Sequence, residues 1–248
     1  MDSASQLLSA RNLSIRYGDF TALDNLDLSL GPGQAIALLG PNGAGKSTCL
    51  KALSGLEAPS SGELTILGEE PKRASRAWKR KIGVLPEDPA LFDALSIEEH
   101  CQLSAELYGI DANDAATRTH ELLTLLGLWD HRARFASAAS FGMRKKTSIA
   151  LALLHNPQVL LLDEPFEGLD PVSCENVLAL LLHLRAKGVA ILFTSHLLNY
   201  VERLATEAVL LLNGRCVWRG SPADHDDIAT RYFAAIAPAP LPSLAWIR

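Results

Sequence analysis
The chain has 248 residues, 48% of them hydrophobic and 21% charged, with a formal net charge of -5. That is enough apolar material for one large domain or a domain with a subdomain, which excludes global disorder. The negative balance argues against a nucleic-acid binder driven by bulk charge, so no nucleic-acid partner is expected.

In chain order, Leu26, Leu28 and Leu30 alternate with Asp27 and Ser29, the period of two of strands covered on one face. Gly31-Pro32-Gly33 turns the chain into an apolar run, Ala35 to Leu39, read as a buried strand. Gly40, Pro41, Asn42, Gly43, Ala44, Gly45, Lys46, Ser47 and Thr48 follow, and then a helical segment. Strand, glycine loop and helix in that order make a P-loop. Leu64 to Gly68 reads as a strand, and Ile82 to Leu85 as a short buried one ending at Pro86. From about 96 to 154 the pattern is mostly helical, with Ser96 an N-cap and Glu98 and Glu99 in the first turn. Val159 to Leu162 is uniformly apolar, as a central parallel strand should be. A helix from about Val172 to Lys187 and a strand from Val189 to Thr194 complete the reading, and Pro238, Pro240 and Pro242 mark an extended tail. The predicted class is α/β: a P-loop NTPase core with an antiparallel β subdomain and a helical subdomain.

Two motifs carry chemistry. The loop glycines let backbone N–H groups turn inward around phosphate oxygens, and the helix that follows directs its positive end at the same anion. Lys46 can reach the terminal phosphates from an exposed position, and the Ser47 hydroxyl can ligate Mg²⁺. The apolar strand from Val159 delivers Asp163 and Glu164 at its C-terminal end, where open α/β sheets bind ligands. Asp163 is placed to hold Mg²⁺ and Glu164 to accept a proton from an attacking water.

Together these residues resemble the ATP-binding subunit of ABC transporters, from about Leu8 to Gly220. The resemblance implies that Tyr17 stacks on adenine, that Asp170 in Phe166-Glu167-Gly168-Leu169-Asp170 is the D-loop acid, and that His196 contacts the γ-phosphate. Two places depart from the family pattern. Glu87 stands where glutamine is usual; a carboxylate keeps an oxygen for Mg²⁺ but loses the amide donor. Ala139-Ser140-Phe141-Gly142-Met143 stands for the signature Leu-Ser-Gly-Gly-Gln, with Ser140 and Gly142 kept and Arg144, Lys145 and Lys146 adding positive charge nearby. The Ser-x-Gly-Met form looks like exporter ATPases that work with a separate membrane subunit.

The resemblance therefore implies an ATPase that binds ATP and Mg²⁺ and pairs head-to-tail with a second ATPase subunit. It would drive an integral membrane permease subunit from the cytoplasmic face of the cell membrane. Residues 1–235 would be a single ATPase domain and 236–248 a Pro-rich tail. Scattered Cys49, Cys101, Cys174 and Cys216, the lack of an apolar run of about 18 residues and an acidic N-terminus fit a cytosolic protein docked on a membrane partner. Alternatives are a soluble ABC-type ATPase in translation or DNA repair, or a weakly catalytic regulatory subunit. The basic stretch Lys72, Arg73, Arg76, Lys79, Arg80 and Lys81 reads either as a solvated helix face or as a contact to lipid headgroups or a partner.

Overall fold
Two patterns of apolar residues build two sheets. The computed structural model describes residues 6–71, 76–222 and 228–235. The first strands are β1 (Leu8–Tyr17), β2 (Phe20–Leu30), β3 (Ala35–Leu39) and β4 (Ser61–Ile66). β1 pairs antiparallel with both β2 and β4, giving a three-stranded sheet in the order β2-β1-β4. Leu26, Leu28 and Leu30 are buried and Asp27 and Ser29 exposed, as the alternation requires. β4 begins earlier than its sequence pattern implies and stops at Ile66, because Leu67 and Gly68 take positive φ (51° and 79°) and turn the chain.

The second sheet adds β5 (Ile82–Leu85), β6 (Val159–Leu162), β7 (Ala190–Thr194), β8 (Glu207–Leu212) and β9 (Arg215–Gly220). Its order is β5-β6-β7-β3-β8-β9, parallel except for the β8-β9 hairpin. Neither strand of that hairpin was read from the sequence, although Asn213-Gly214 after an apolar run is a two-residue hairpin signal, and both residues adopt the positive φ such a turn demands.

The helices are α1 (Lys46–Leu53), α2 (Ile97–Tyr108), α3 (Ala112–Leu125), α4 (Phe141–Leu154), α5 (Pro171–Ala186), α6 (Leu198–Leu204) and α7 (Ile228–Ala235). Among the described residues no helix is long and apolar enough to cross a membrane. The helical block from 96 to 154 resolves into α2, α3 and α4. Over the described part of the basic stretch Arg80 and Lys81 are exposed and Lys79 half-buried. Arg76–Lys81 is a 3-10 turn anchored by buried Trp78, with the Lys79 ammonium 5.4 Å from the Trp78 ring centre. Lys72 and Arg73 lie outside the described residues, as does the Pro-rich tail.

Strands β3, β6 and β7 are buried along their whole length, and successive side chains feed opposite cores. Leu39, Leu160, Leu162, Ile191 and Phe193 join one cluster with α2, α4 and α5; Ile36, Leu38, Leu161 and Leu192 join another with α1 and the antiparallel sheet. Each leucine so buried contributes roughly 1.5–3 kcal/mol, which is why these strands read as unbroken apolar runs. Parallel pairing also brings the C-terminal ends of β3, β5, β6 and β7 to one edge, where residues that cannot be apolar begin.

Ser96 caps α2 through a complete capping box: its Oγ accepts the Glu99 N–H at 3.2 Å, and a Glu99 carboxylate oxygen accepts the Ser96 N–H at 2.7 Å. Ser96→Ala should cost about 0.5–2 kcal/mol of stability. Urea unfolding followed by circular dichroism checks this, and an unchanged midpoint would mean that the cap contributes nothing.

Candidate active site
The turn after β3 leaves no room for a side chain at Gly40 or Gly45. Gly45 has φ 103°, and a Cβ there would fall 2.5 Å from the Ala22 carbonyl oxygen. Lys46 opens α1 and folds back over the loop, its Nζ donating to the carbonyls of Gly40 (2.8 Å) and Pro41 (3.2 Å). It is thus half-buried, not exposed as the sequence reading held, because two loop carbonyls satisfy its ammonium. Asn42, Gly43, Gly45, Lys46, Ser47 and Thr48 line a cleft of about 310 Å³, faced by Glu87, Asp163 and Glu164. Ala44 turns into the core under the loop instead. A glycine loop, an ammonium and a helix N-terminus on one cleft suit a polyphosphate.

Tyr17 ends β1 directly across from Phe20 in β2. It is 45% exposed, and burial, followed by nearby Glu57, raises its phenol pKa. The aromatic wall of the cleft on this side is Phe20, with Ala22 beside it. The sequence reading missed both; Phe20, the first apolar residue after the Gly18-Asp19 turn, was its available signal.

Asp163 and Glu164 are buried at the end of β6. The Thr194 hydroxyl, at the end of β7, donates to Asp163 Oδ1 (2.6 Å) and accepts the Glu164 N–H (2.8 Å). Glu164 adopts φ 47°, a left-handed conformation that costs a residue with a Cβ about 1–3 kcal/mol. Its Oε2 meets His196 twice, accepting the backbone N–H (3.3 Å) and lying 3.1 Å from Nδ1. Burial pushes the Glu164 carboxyl above the usual carboxylate range, against the pull of His196 and Lys46.

The basic triplet of α4, read as positive charge near the signature, is bonded within the chain. Lys145 is 0% exposed, and its Nζ donates to the backbone carbonyls of Glu87 and Asp163, 3.0 Å each. Arg144 binds the Asp93 carboxylate (3.0 Å) and the Ala136 carbonyl (2.9 Å), and Lys146 lies 3.4 Å from Ser173 Oγ. Each side chain is spent inside the chain because α4 runs inward from Ser140. Burial lowers the Lys145 pKa, opposed by Asp163, Glu167, Glu164 and Glu87.

Ser140, Gly142 and Asp170 do not line the cleft of their own chain. Ser140 caps α4, its Oγ accepting the Met143 N–H at 3.3 Å. A Cβ on Gly142 would lie 3.0 Å from the Gly168 carbonyl oxygen, so the signature packs directly on the 166–170 loop. Asp170 caps α5, taking the Ser173 N–H at 3.0 Å and its hydroxyl at 2.5 Å, and these bonds hold its carboxyl below the usual range.

The raised Glu164 pKa has a sign that can be checked. The folded chain holds this proton more tightly than the unfolded one. Its contribution to stability is therefore full below the unfolded value of about 4.3 and is lost as pH rises through the folded value. Glu164→Gln removes that loss. The melting temperature of the nucleotide-free variant, measured against the parent's, should gain ground as pH rises above about 4.3 and level off once the folded parent's Glu164 has ionised. A flat or narrowing margin would contradict the assignment of burial as the cause.

Comparison with known proteins agrees with this geometry. A model of the ABC transporter family matches residues 23–167. The linearmycin resistance ATP-binding protein LnrL of Bacillus subtilis (strain 168) is 33% identical over 218 residues, 88% of this chain and 70% of the relative. The Nod factor export ATP-binding protein I of Cupriavidus metallidurans is 37% identical over 217 residues, 87% and 71% of the two chains. A solved ATP-binding subunit of an ABC transporter superposes with a TM-score of 0.83 at 34% identity, over 92% of this chain and 94% of the other. The chain belongs to the ABC transporter family, as an ATP-binding subunit and an ATPase.

Proposed function
We propose that this chain hydrolyses ATP to power export through a separate integral membrane permease, working on the cytoplasmic face of the membrane as one half of a head-to-tail pair of ATPase subunits. The observation that carries the reading is the cleft itself, where the loop cation and hydroxyls face three carboxylates, one of them held by His196. Export is favoured by the Ser140-Phe141-Gly142-Met143 form and by relatives named for resistance and export.

In this reading Lys46 exchanges its loop carbonyls for the phosphates of ATP, and the aromatic pair Tyr17 and Phe20 offers its faces to the base. Ser47, Glu87 and Asp163 bring one hydroxyl and two carboxylates into a single cleft. That donor set fits a hard cation that keeps phosphate and water oxygens as its other ligands, so these residues would hold Mg²⁺. When bound, the ion neutralises charge on the phosphate oxygens. Glu164 accepts a proton from the attacking water, and its raised pKa makes it a stronger base than an exposed glutamate. His196 fixes the carboxylate from one side, and its ring stays half-exposed.

Ser140 and Gly142 would serve ATP held by the other subunit. The support is that neither lines its own cleft, together with Phe141 and Val172, which leave apolar surface exposed beside the signature and Asp170. Residues 1–235 form the ATPase domain in this proposal.

Glu164→Gln should bind ATP normally and lose about 10²–10⁴ in turnover, because an amide cannot take the water's proton. The variant should also accumulate an ATP-stabilised dimer on gel filtration. Normal turnover, or a monomer where the parent dimerises, would remove Glu164 from this role.

A mixing experiment addresses the pair. A Gly142→Asp subunit keeps a sound P-loop, and a Lys46→Ala subunit keeps a sound signature, so together they make one intact composite site. ATPase activity of the mixture should rise above that of either variant alone. Hetero-pairs without recovery would count against sites shared between subunits.

A further inference from the structure
We infer that Thr194 is a positioning residue for hydrolysis: its one hydroxyl aims both Asp163 and Glu164. The inference rests on the reading of Glu164 as the residue that takes the water's proton. Thr194 stands at the end of a strand whose other four residues, Ala190, Ile191, Leu192 and Phe193, are apolar, and its side chain has no access to solvent. A buried hydroxyl in such a strand needs partners on both its donor and acceptor sides. It has them: the proton goes to Asp163 Oδ1 at 2.6 Å, and the oxygen takes the Glu164 N–H at 2.8 Å.

The hydroxyl answers a problem that the active site creates. Glu164 takes a left-handed conformation beyond the last pair of the β6–β7 ladder, Leu162 with Phe193, and its N–H bonds a side-chain oxygen of β7 in place of a ladder carbonyl. Buried and unpaired, that N–H would favour a relaxed backbone and a displaced carboxylate. Thr194 supplies the missing acceptor. Two residues later in the same chain segment, His196 holds the Glu164 carboxylate. The end of β7 therefore fixes Glu164 at both its main chain and its side chain. The same hydroxyl occupies one oxygen of Asp163 and so sets the orientation of the other. Valine would fill this space in an apolar strand without doing either.

Thr194→Val keeps the β-branched shape and removes the hydroxyl, and Thr194→Ser keeps the hydroxyl and removes the methyl. Turnover of the valine variant should fall by about 10–100-fold, the scale of a small misplacement at a reacting centre. Its affinity for ATP without Mg²⁺, read with a fluorescent ATP analogue, should stay within about threefold of the parent. It should also accumulate the ATP-stabilised dimer, and the serine variant should recover turnover to within about threefold. Should the valine chain not fold, Thr194→Ala replaces it, since alanine and serine differ by the hydroxyl alone. Valine turnover within threefold of the parent, or equal losses for valine and serine, overturns the proposal. Glu164→Gln run in parallel separates the two readings: if that variant turns over normally the Glu164 reading fails, and if it is inactive while Thr194→Val is normal, only Thr194 is misassigned.

Discussion
The structure is organised around a crowding of negative charge. Glu87, Asp163 and Glu164 face one cleft, and the nucleotide an ATP-binding subunit must admit there is itself an anion. Unit charges a few ångströms apart repel by roughly 4 kcal/mol at the effective dielectric of a protein surface. The chain answers with fixed cationic elements: the N-terminus of α1, Lys46 on the loop and Lys145 beneath the carboxylates. Lys145 is the most expensive of the three, an ammonium with no access to water, and carbonyl oxygens replace its hydration.

Sheet topology makes this arrangement possible. With β7 between β6 and β3, the end of β7 stands between the carboxylates and the glycine loop. Thr194 and His196 therefore reach Glu164 from the strand next to it, and β5 brings Glu87 from the other side. The antiparallel sheet and α1 close the opposite face and supply Phe20 and Ala22 at the mouth. Strands β3 and β6 are apolar to their last residue and β7 to its last but one, because both faces are covered, and polarity starts abruptly where the sheet ends.

Local order in the chain made the glycine loop, the Asp163–Glu164 pair and the capped start of α2 legible. Each is a short run whose geometry follows from neighbours in sequence: glycines that permit positive φ, an apolar strand ending in acids, a serine three residues before a glutamate. Contacts between distant segments were not legible. Lys145 reaches residues 58 and 18 positions away, and its sequence neighbourhood, three consecutive basic residues, resembles an exposed cationic patch. Asp170 reads as the D-loop acid, yet within its own chain it also caps a helix. Phe20 reaches the cleft through the hairpin that sets it beside Tyr17.

The fan of basic side chains on α4 has a mechanical consequence. Within one turn, Arg144, Lys145 and Lys146 grip the loop after β5, the end of β6 and the start of α5. Ser140 sits only four to six residues ahead of them on the same helix, about 6–9 Å along its axis. A helix held at three points this close to its tip ties the position of the tip to the three segments it grips. In the proposed pair, each subunit would feel the state of its own cleft at the surface it offers to its neighbour, so the two clefts would keep time with each other through one short rod.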